Sequence, residues 1–140
     1  MSGITLSILI VDDQAEIREI LEIFFLTEGH SINHAKNGRE AVKVAFATRP
    51  DIVFLDVKMP VLDGFGALRE IRKIIPEADV VMMTACPEVD FISRAFKEGA
   101  VGFLGKPFDM AAVKTIVEGV QKKKNALSSP ESGKEFSAMA

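Results

Sequence analysis

The sequence predicts an α/β protein in which a parallel sheet is covered by helices on both faces. Three observations predict it. Short β-branched or aliphatic runs alternate five times with segments of helical periodicity, and parallel strands need crossover helices that cover both faces. The length, 140 residues, is one domain's worth of chain. Hydrophobic residues make up 48% and charged residues 26%, a globular balance that excludes disorder of the chain as a whole.

The elements follow in order. Thr5–Val11 is a β-branched run ending at Asp12-Asp13. Residues 14–28 place Ile17, Ile20, Leu21, Phe24 and Phe25 at the i, i+3, i+4, i+7, i+8 spacing of an amphipathic helix. Gly29 stands where a left-handed C-terminal cap is expected. Ser31–Ala35 is a weaker strand, and Asn37 can cap a helix that runs to about Thr48, where Pro50 stops it. Asp51–Leu55 is a strongly apolar strand, again followed by an acid, Asp56. Residues 58–64 are a loop by their Pro and Asp-Gly signals, and a helix follows to about Ile75. Ala78–Met83 is the fourth strand, with Thr84 just past it. Pro87 opens a helix to about Lys97, closed by Gly99. Val101–Leu104 is the fifth strand, and Gly105-Lys106-Pro107 is a turn. Residues 109–124 form a last helix with Val113, Ile116, Val117 and Val120 on one face. From Gln121 the composition shifts to Lys, Ser, Pro and Gly, so a domain over 1–124 and a flexible tail or linker over 125–140 are expected.

Composition also excludes function classes. A single cysteine, Cys86, excludes an internal disulfide framework and a Cys-rich zinc site, and suits a reducing compartment. Residues 1–120 carry 13 basic and 18 acidic side chains. That acidic body argues against a nucleic-acid surface, which needs a basic face to neutralise phosphates. No apolar run approaches the ~20 residues of a membrane span. Met1-Ser2-Gly3-Ile4 lacks the basic start and long apolar core of a signal peptide. A soluble, cytoplasmic protein is expected.

Ligands of an open parallel sheet bind outside the carboxyl ends of its strands. Asp12 and Asp13 follow strand 1, Asp56 follows strand 3, Thr84 follows strand 4 and Lys106 follows strand 5. Three carboxylates, a hydroxyl and an ammonium should therefore meet on one rim. Carboxylates at close range repel one another, and a hard cation such as Mg²⁺ removes that repulsion through oxygen ligands. A carboxylate can also act as a nucleophile and become an aspartyl phosphate. The cation, Lys106 and Thr84 would then offset charge on the phosphoryl oxygens.

These residues bring the chain close to a known family. Ile10-Val11-Asp12-Asp13, Phe54-Leu55-Asp56-Val57-Lys58-Met59-Pro60, Asp63-Gly64, Met83-Thr84-Ala85 and Lys106-Pro107-Phe108 resemble, in order, the motifs of the CheY-like receiver domain of bacterial response regulators. The resemblance covers about residues 5–122. It implies a doubly wound (βα)5 fold with sheet order 2-1-3-4-5. It implies that Asp56 takes a phosphoryl group from a phosphohistidine on a histidine kinase or a histidine phosphotransfer protein. It implies that Asp13, Asp56 and the backbone carbonyl of Lys58 hold Mg²⁺, with Asp12 acting through water. Lys106 would pair with the phosphoryl group and Thr84 would move toward it. Phe103 matches the switch aromatic, often Tyr in the family, so an output contact through a phenolic oxygen is absent. The Lys106-Pro107 bond is expected to be cis. Lys58 and Cys86 stand where family members tune the lifetime of the acyl phosphate. The output surface would be the fourth helix, fifth strand and fifth helix, read by an unnamed downstream protein. The domain is expected as a monomer, with dimerisation on phosphorylation open. It would be no enzyme beyond its own phosphorylation and slow dephosphorylation.

Blander readings stand beside these. Asp12-Asp13 alone would cap the first helix. Asp63-Gly64 is a turn and helix start, and Phe103 alone is core. His30 and His34 read as exposed surface away from the rim. Cys86 alone is an inert loop residue, and Lys122-Lys123-Lys124 a solvated terminus that complements the helix dipole. A haloacid-dehalogenase-like phosphatase would want an acid at position 58, which is Lys. A flavodoxin-like cofactor binder would want a Gly/Ser/Thr phosphate loop where Asp12-Asp13-Gln14 stands. A degenerate receiver, acting by contact without phosphorylation, keeps the fold but does not need all five rim residues.

Overall fold

A computed structural model of the chain describes residues 3–59, 61–85 and 88–128. Five parallel strands alternate with five helices. They are β1 (Ser7–Val11), α1 (Ala15–Thr27), β2 (Ser31–Ala35), α2 (Gly38–Thr48) and β3 (Ile52–Asp56), followed by α3 (Gly64–Ile74), β4 (Asp79–Thr84), α4 (Val89–Lys97), β5 (Gly102–Gly105) and α5 (Met110–Ser128). The sheet order is β2-β1-β3-β4-β5, every pairing parallel. This is the doubly wound arrangement that the motif order implied.

The two faces of the sheet form two cores, because successive residues of a strand point to opposite sides. Leu9, Val11, Val53, Leu55, Val80 and Met82 meet α2, α3 and α4 through Ala41, Ala45, Phe65, Leu68, Ile71 and Ala95. Their neighbours Ile8, Ile10, Ile52, Phe54, Val81 and Met83 meet α1 and α5 through Leu21, Phe25, Val113, Val117 and Val120. Phe25 and Phe54 stack across the second core with ring centroids 5.2 Å apart. Between their polar ends the central strands are apolar, because both of their faces are covered.

The helix ends obey local chemistry. The Asn37 side chain accepts from the Glu40 N–H at 2.8 Å, as expected of a cap. Asp63 caps α3 in the same way, accepting from Gly66 N–H at 2.8 Å. Gly29 and Gly99 close α1 and α4 at φ 89° and 106°. α2 ends one residue before Pro50 through Arg49, which takes φ 50°.

Three expectations need correction. His30 is not exposed. It is 5% accessible, and its Nδ1 accepts the Leu6 N–H at 3.0 Å. Burial, opposed by the Glu28 charge, holds its pKa below 6.5. His34 is half-buried, with Nε2 3.2 Å from a Glu22 carboxylate oxygen. The lysine run is not simply solvated, and α5 continues four residues past 124. Lys123 Nζ lies 2.6 Å from Asp79, which is 4% accessible at the start of β4. Lys124 Nζ lies 2.9 Å from Asp51, whose other oxygen accepts the Ser7 N–H at 2.8 Å. The last turns of α5 are thereby fastened to the edge of the sheet opposite the acidic rim.

Candidate functional site

The sheet order reverses between β1 and β3, and a crevice opens where two neighbouring strands send their connections to opposite faces. Asp12 and Asp13 leave β1 on one side of it, and Asp56 ends β3 on the other. Thr84 ends β4, and Lys106 follows β5. The backbone ties these ends together. Val57 N–H donates to Met83 O at 3.0 Å, and Lys106 N–H to Thr84 O at 2.6 Å. Gly64 admits this crossing, because a Cβ there would lie 2.6 Å from Val57 Cα.

All five rim residues arrive where the sequence places them. One carboxylate oxygen from each of Asp12, Asp13 and Asp56 lies within 4.8 Å of the others. Asp12 is fully buried, Asp56 is 5% accessible and Asp13 is exposed. Lys106 donates to Asp12 Oδ2 at 2.6 Å and to Asp56 Oδ1 at 3.3 Å. One ammonium thus faces three carboxylates. A cavity of 230 Å³ opens beside them, lined by Asp13, Gln14, Asp56, Lys58, Thr84, Ala85 and Lys106.

The electrostatics follow from that imbalance. Burial first, and the Asp12 charge second, push the Asp56 carboxyl up to about 6, with Lys106 pulling the other way. Burial alone would lower the Lys106 ammonium. The hydrogen bond to Asp12 and the charges of Asp56 and Asp12 outweigh it and hold the group above its ordinary value. Asp12 is largely committed within the protein: Oδ2 accepts from Lys106, and Oδ1 accepts the Gln14 N–H at 3.0 Å. Asp13 carries no such commitment to Lys106 and faces solvent.

The remaining expected residues divide. Lys58 is exposed at the cavity mouth. Lys106-Pro107 is cis. Phe103 is half-buried and does not line the cavity; its ring lies 6.1 Å from that of Phe91 on α4, which in turn meets Phe65 at 5.2 Å. Cys86 lies outside the described residues. Two residues were not singled out from sequence. Arg18 donates to the Asp12 backbone oxygen at 2.7 Å, and Gln14 lines the cavity. Their only sequence signal is position, directly after the acid pair and one turn further on.

Comparison with known proteins agrees with this geometry. Residues 8–118 match the family model described as "Response regulator receiver domain". The chain is 39% identical over 111 residues to sporulation initiation phosphotransferase F of Bacillus subtilis, covering 79% of this chain and 90% of that one. It is 37% identical over 116 residues to chemotaxis protein CheY of Thermotoga maritima, covering 82% and 97%. It is 38% identical over 111 residues to regulatory protein AtoC of Escherichia coli, where it covers 79% of this chain and only 24% of the relative. A solved two-component response regulator from Clostridium difficile superposes with TM-score 0.81 at 28% identity, over 85% of this chain and 98% of that one. The fold and these relatives define a phosphoacceptor domain of two-component signalling. The chain belongs to the response regulator receiver domain family. Among the described residues no helix is long and apolar enough to cross a membrane.

Proposed function

We propose that Asp56 is the phosphoacceptor of this domain and that the rim around it performs the transfer. The observation that carries the reading is the single ammonium of Lys106, shared between buried Asp12 and Asp56 and set beside Asp13 and Thr84 at the strand ends. An Asp56 carboxylate oxygen attacks phosphorus, and the bond from phosphorus to the donor imidazole nitrogen breaks. The imidazole keeps the electron pair and takes up a proton. Lys106 shifts its hydrogen bond from Asp56 to a phosphoryl oxygen, and the Thr84 hydroxyl donates to another.

The donor set fits a hard divalent cation, because three carboxylates cluster at a site of oxygen ligands and, of the two lysines lining the cavity, Lys106 is the one paired with them. Asp13, Asp56 and the Lys58 carbonyl would hold Mg²⁺, and Asp12, committed to Lys106 and Gln14, would reach it through water. The cation would neutralise phosphoryl charge during transfer.

The receiver unit, expected over residues 1–124, runs on with α5 to Ser128, and the tail or start of a linker expected over 125–140 follows that helix. The phosphodonor is a histidine kinase or histidine phosphotransfer protein in the cytoplasm. Thr84 and Phe103 carry the switch to α4, β5 and α5, which a downstream protein reads. The unit is a monomer before phosphorylation, and its catalysis is confined to its own phosphorylation and dephosphorylation. Lys58, at the cavity mouth, slows hydrolysis, so Lys58→Ala should shorten the life of the acyl phosphate. An unchanged rate would remove that role.

Intact mass after incubation with acetyl phosphate and Mg²⁺ tests the reading. A gain of one phosphoryl group that disappears in Asp56→Ala and without the metal supports it. A gain that survives in Asp56→Ala means the acceptor is another residue.

A further inference from the structure

We infer that Gln14 orients the water that hydrolyses the Asp56 phosphate; this rests on the acceptor role of Asp56 proposed above. Gln14 takes the N-cap position of α1, where Ser, Thr, Asp or Asn would normally accept a backbone N–H, yet its side chain makes no such bond. Its backbone is fixed all the same. The Gln14 N–H donates to Asp12 Oδ1 at 3.0 Å, and its carbonyl accepts the Arg18 N–H at 3.3 Å. Gln14, exposed and with a side chain that does not cap its helix, thus lines the 230 Å³ cavity that Asp56 also lines.

The chemistry of that wall singles it out. A water attacking phosphorus must donate one O–H to an acceptor so that its lone pair faces the phosphoryl group. Lys58 and Lys106 carry only donors, and Ala85 carries no polar side-chain atom. Asp56 bears the phosphoryl group, and Asp13 is a proposed cation ligand. The Thr84 hydroxyl is assigned above as a donor to a phosphoryl oxygen. Among the described side chains lining the cavity, the Gln14 amide oxygen is the acceptor with no role assigned above. The amide is also neutral, so it adds no charge to a rim that already repels phosphate. Its N–H groups can donate to a phosphoryl oxygen while Oε1 accepts from water. In the step, the water oxygen bonds to phosphorus and the bond from phosphorus to the Asp56 oxygen breaks. The electron pair returns to the carboxylate, and one proton passes to solvent. Gln14 aligns the water and takes no proton.

The test uses the full chain phosphorylated by acetyl phosphate with Mg²⁺, with loss of the phosphoryl group followed by intact mass once the donor is removed. Gln14→Met keeps the length and removes both hydrogen-bonding functions. It should gain one phosphoryl group and lose it to water roughly fivefold more slowly, the worth of one hydrogen bond. Gln14→Glu keeps the acceptor but adds a negative charge and loses the N–H donors, so its rate should fall between those of Gln14→Met and the parent. Cleavage by hydroxylamine, which attacks the carbonyl carbon rather than phosphorus, should be the same in all three, and that separates alignment from simple occlusion. Equal or faster hydrolysis in Gln14→Met overturns the inference. So does slowing of the hydroxylamine reaction in parallel, and so does failure of Gln14→Met to accept phosphate while the parent accepts it. A parent that gains no phosphoryl group would instead overturn the acceptor role of Asp56.

Discussion

Asp56→Asn should make the metal-free domain more stable at neutral pH, although it removes the proposed acceptor. Asp56 is buried at the end of β3 and shares one ammonium with Asp12, while Asp13 stands within 4.8 Å. Burial, and then the Asp12 charge, raise its carboxyl from 3.8 to about 6. A group whose pKa is higher in the folded state binds its proton more tightly there. Below about pH 4 the carboxyl is neutral in both states and costs nothing. Between about pH 4 and 6 the unfolded chain ionises first, so stability falls as pH rises, and above about pH 6 the whole cost is present. The rise corresponds to about 3 kcal/mol, at roughly 1.4 kcal/mol per tenfold change in the proton equilibrium. That figure already includes the opposing charge and hydrogen bond of Lys106, so a net gain of up to about 3 kcal/mol is expected near neutral pH. Urea unfolding in a chelator reads it, followed by far-ultraviolet circular dichroism because the chain has no Trp or Tyr. The gain should be present at about pH 7.5 and absent at about pH 4. A loss of stability at the higher pH, or a gain that does not depend on pH, would refute the reasoning.

Lys123→Met should cost roughly 1–3 kcal/mol, because it strands the buried Asp79 carboxylate. Lys124→Met, whose pair is partly exposed on both sides, should cost less than about 1 kcal/mol. Equal costs in urea unfolding would contradict that ranking. Val61 holds φ 74° with its side chain 75% accessible. Val61→Gly should relieve about 1–2 kcal/mol of backbone strain and lose about 0.5–1 kcal/mol to unfolded-state entropy. A small rise in melting temperature is expected, and a fall would show that the exposed valine makes contacts of its own. His30, neutral because it is buried, should titrate below 6.5 in a proton NMR titration. Its contribution to stability is complete above about pH 6.5 and is lost as the pH falls and the unfolded chain protonates first. Titration at or above 6.5 would contradict its burial.

The rim was legible because the geometry of a parallel sheet brings distant strand ends to one edge. Once Val11, Leu55, Met83 and Leu104 are read as the tails of parallel strands, Asp12, Asp56, Thr84 and Lys106 must meet. The apolar runs of β3 and β4 announce themselves because both of their faces are covered. Pairings without a local signature stayed hidden. Lys123 meets Asp79 across 44 residues, and nothing in a lysine triplet indicates which of its members finds a buried acid. His30 looked like surface because the acceptor it offers serves the Leu6 N–H, 24 residues away. Gln14 reads in the sequence only as the start of the first helix, and a cap bond that its side chain does not make leaves no mark there.

The most direct test of the central claim is to trap the phosphorylated residue. After reaction with acetyl phosphate and Mg²⁺, borohydride reduces an aspartyl phosphate to the alcohol, and peptide mass mapping then locates the change. The account predicts conversion at position 56 alone, dependent on the metal. Conversion at Asp12 or Asp13, or a phosphoryl group that resists borohydride because it sits on another kind of side chain, would contradict it.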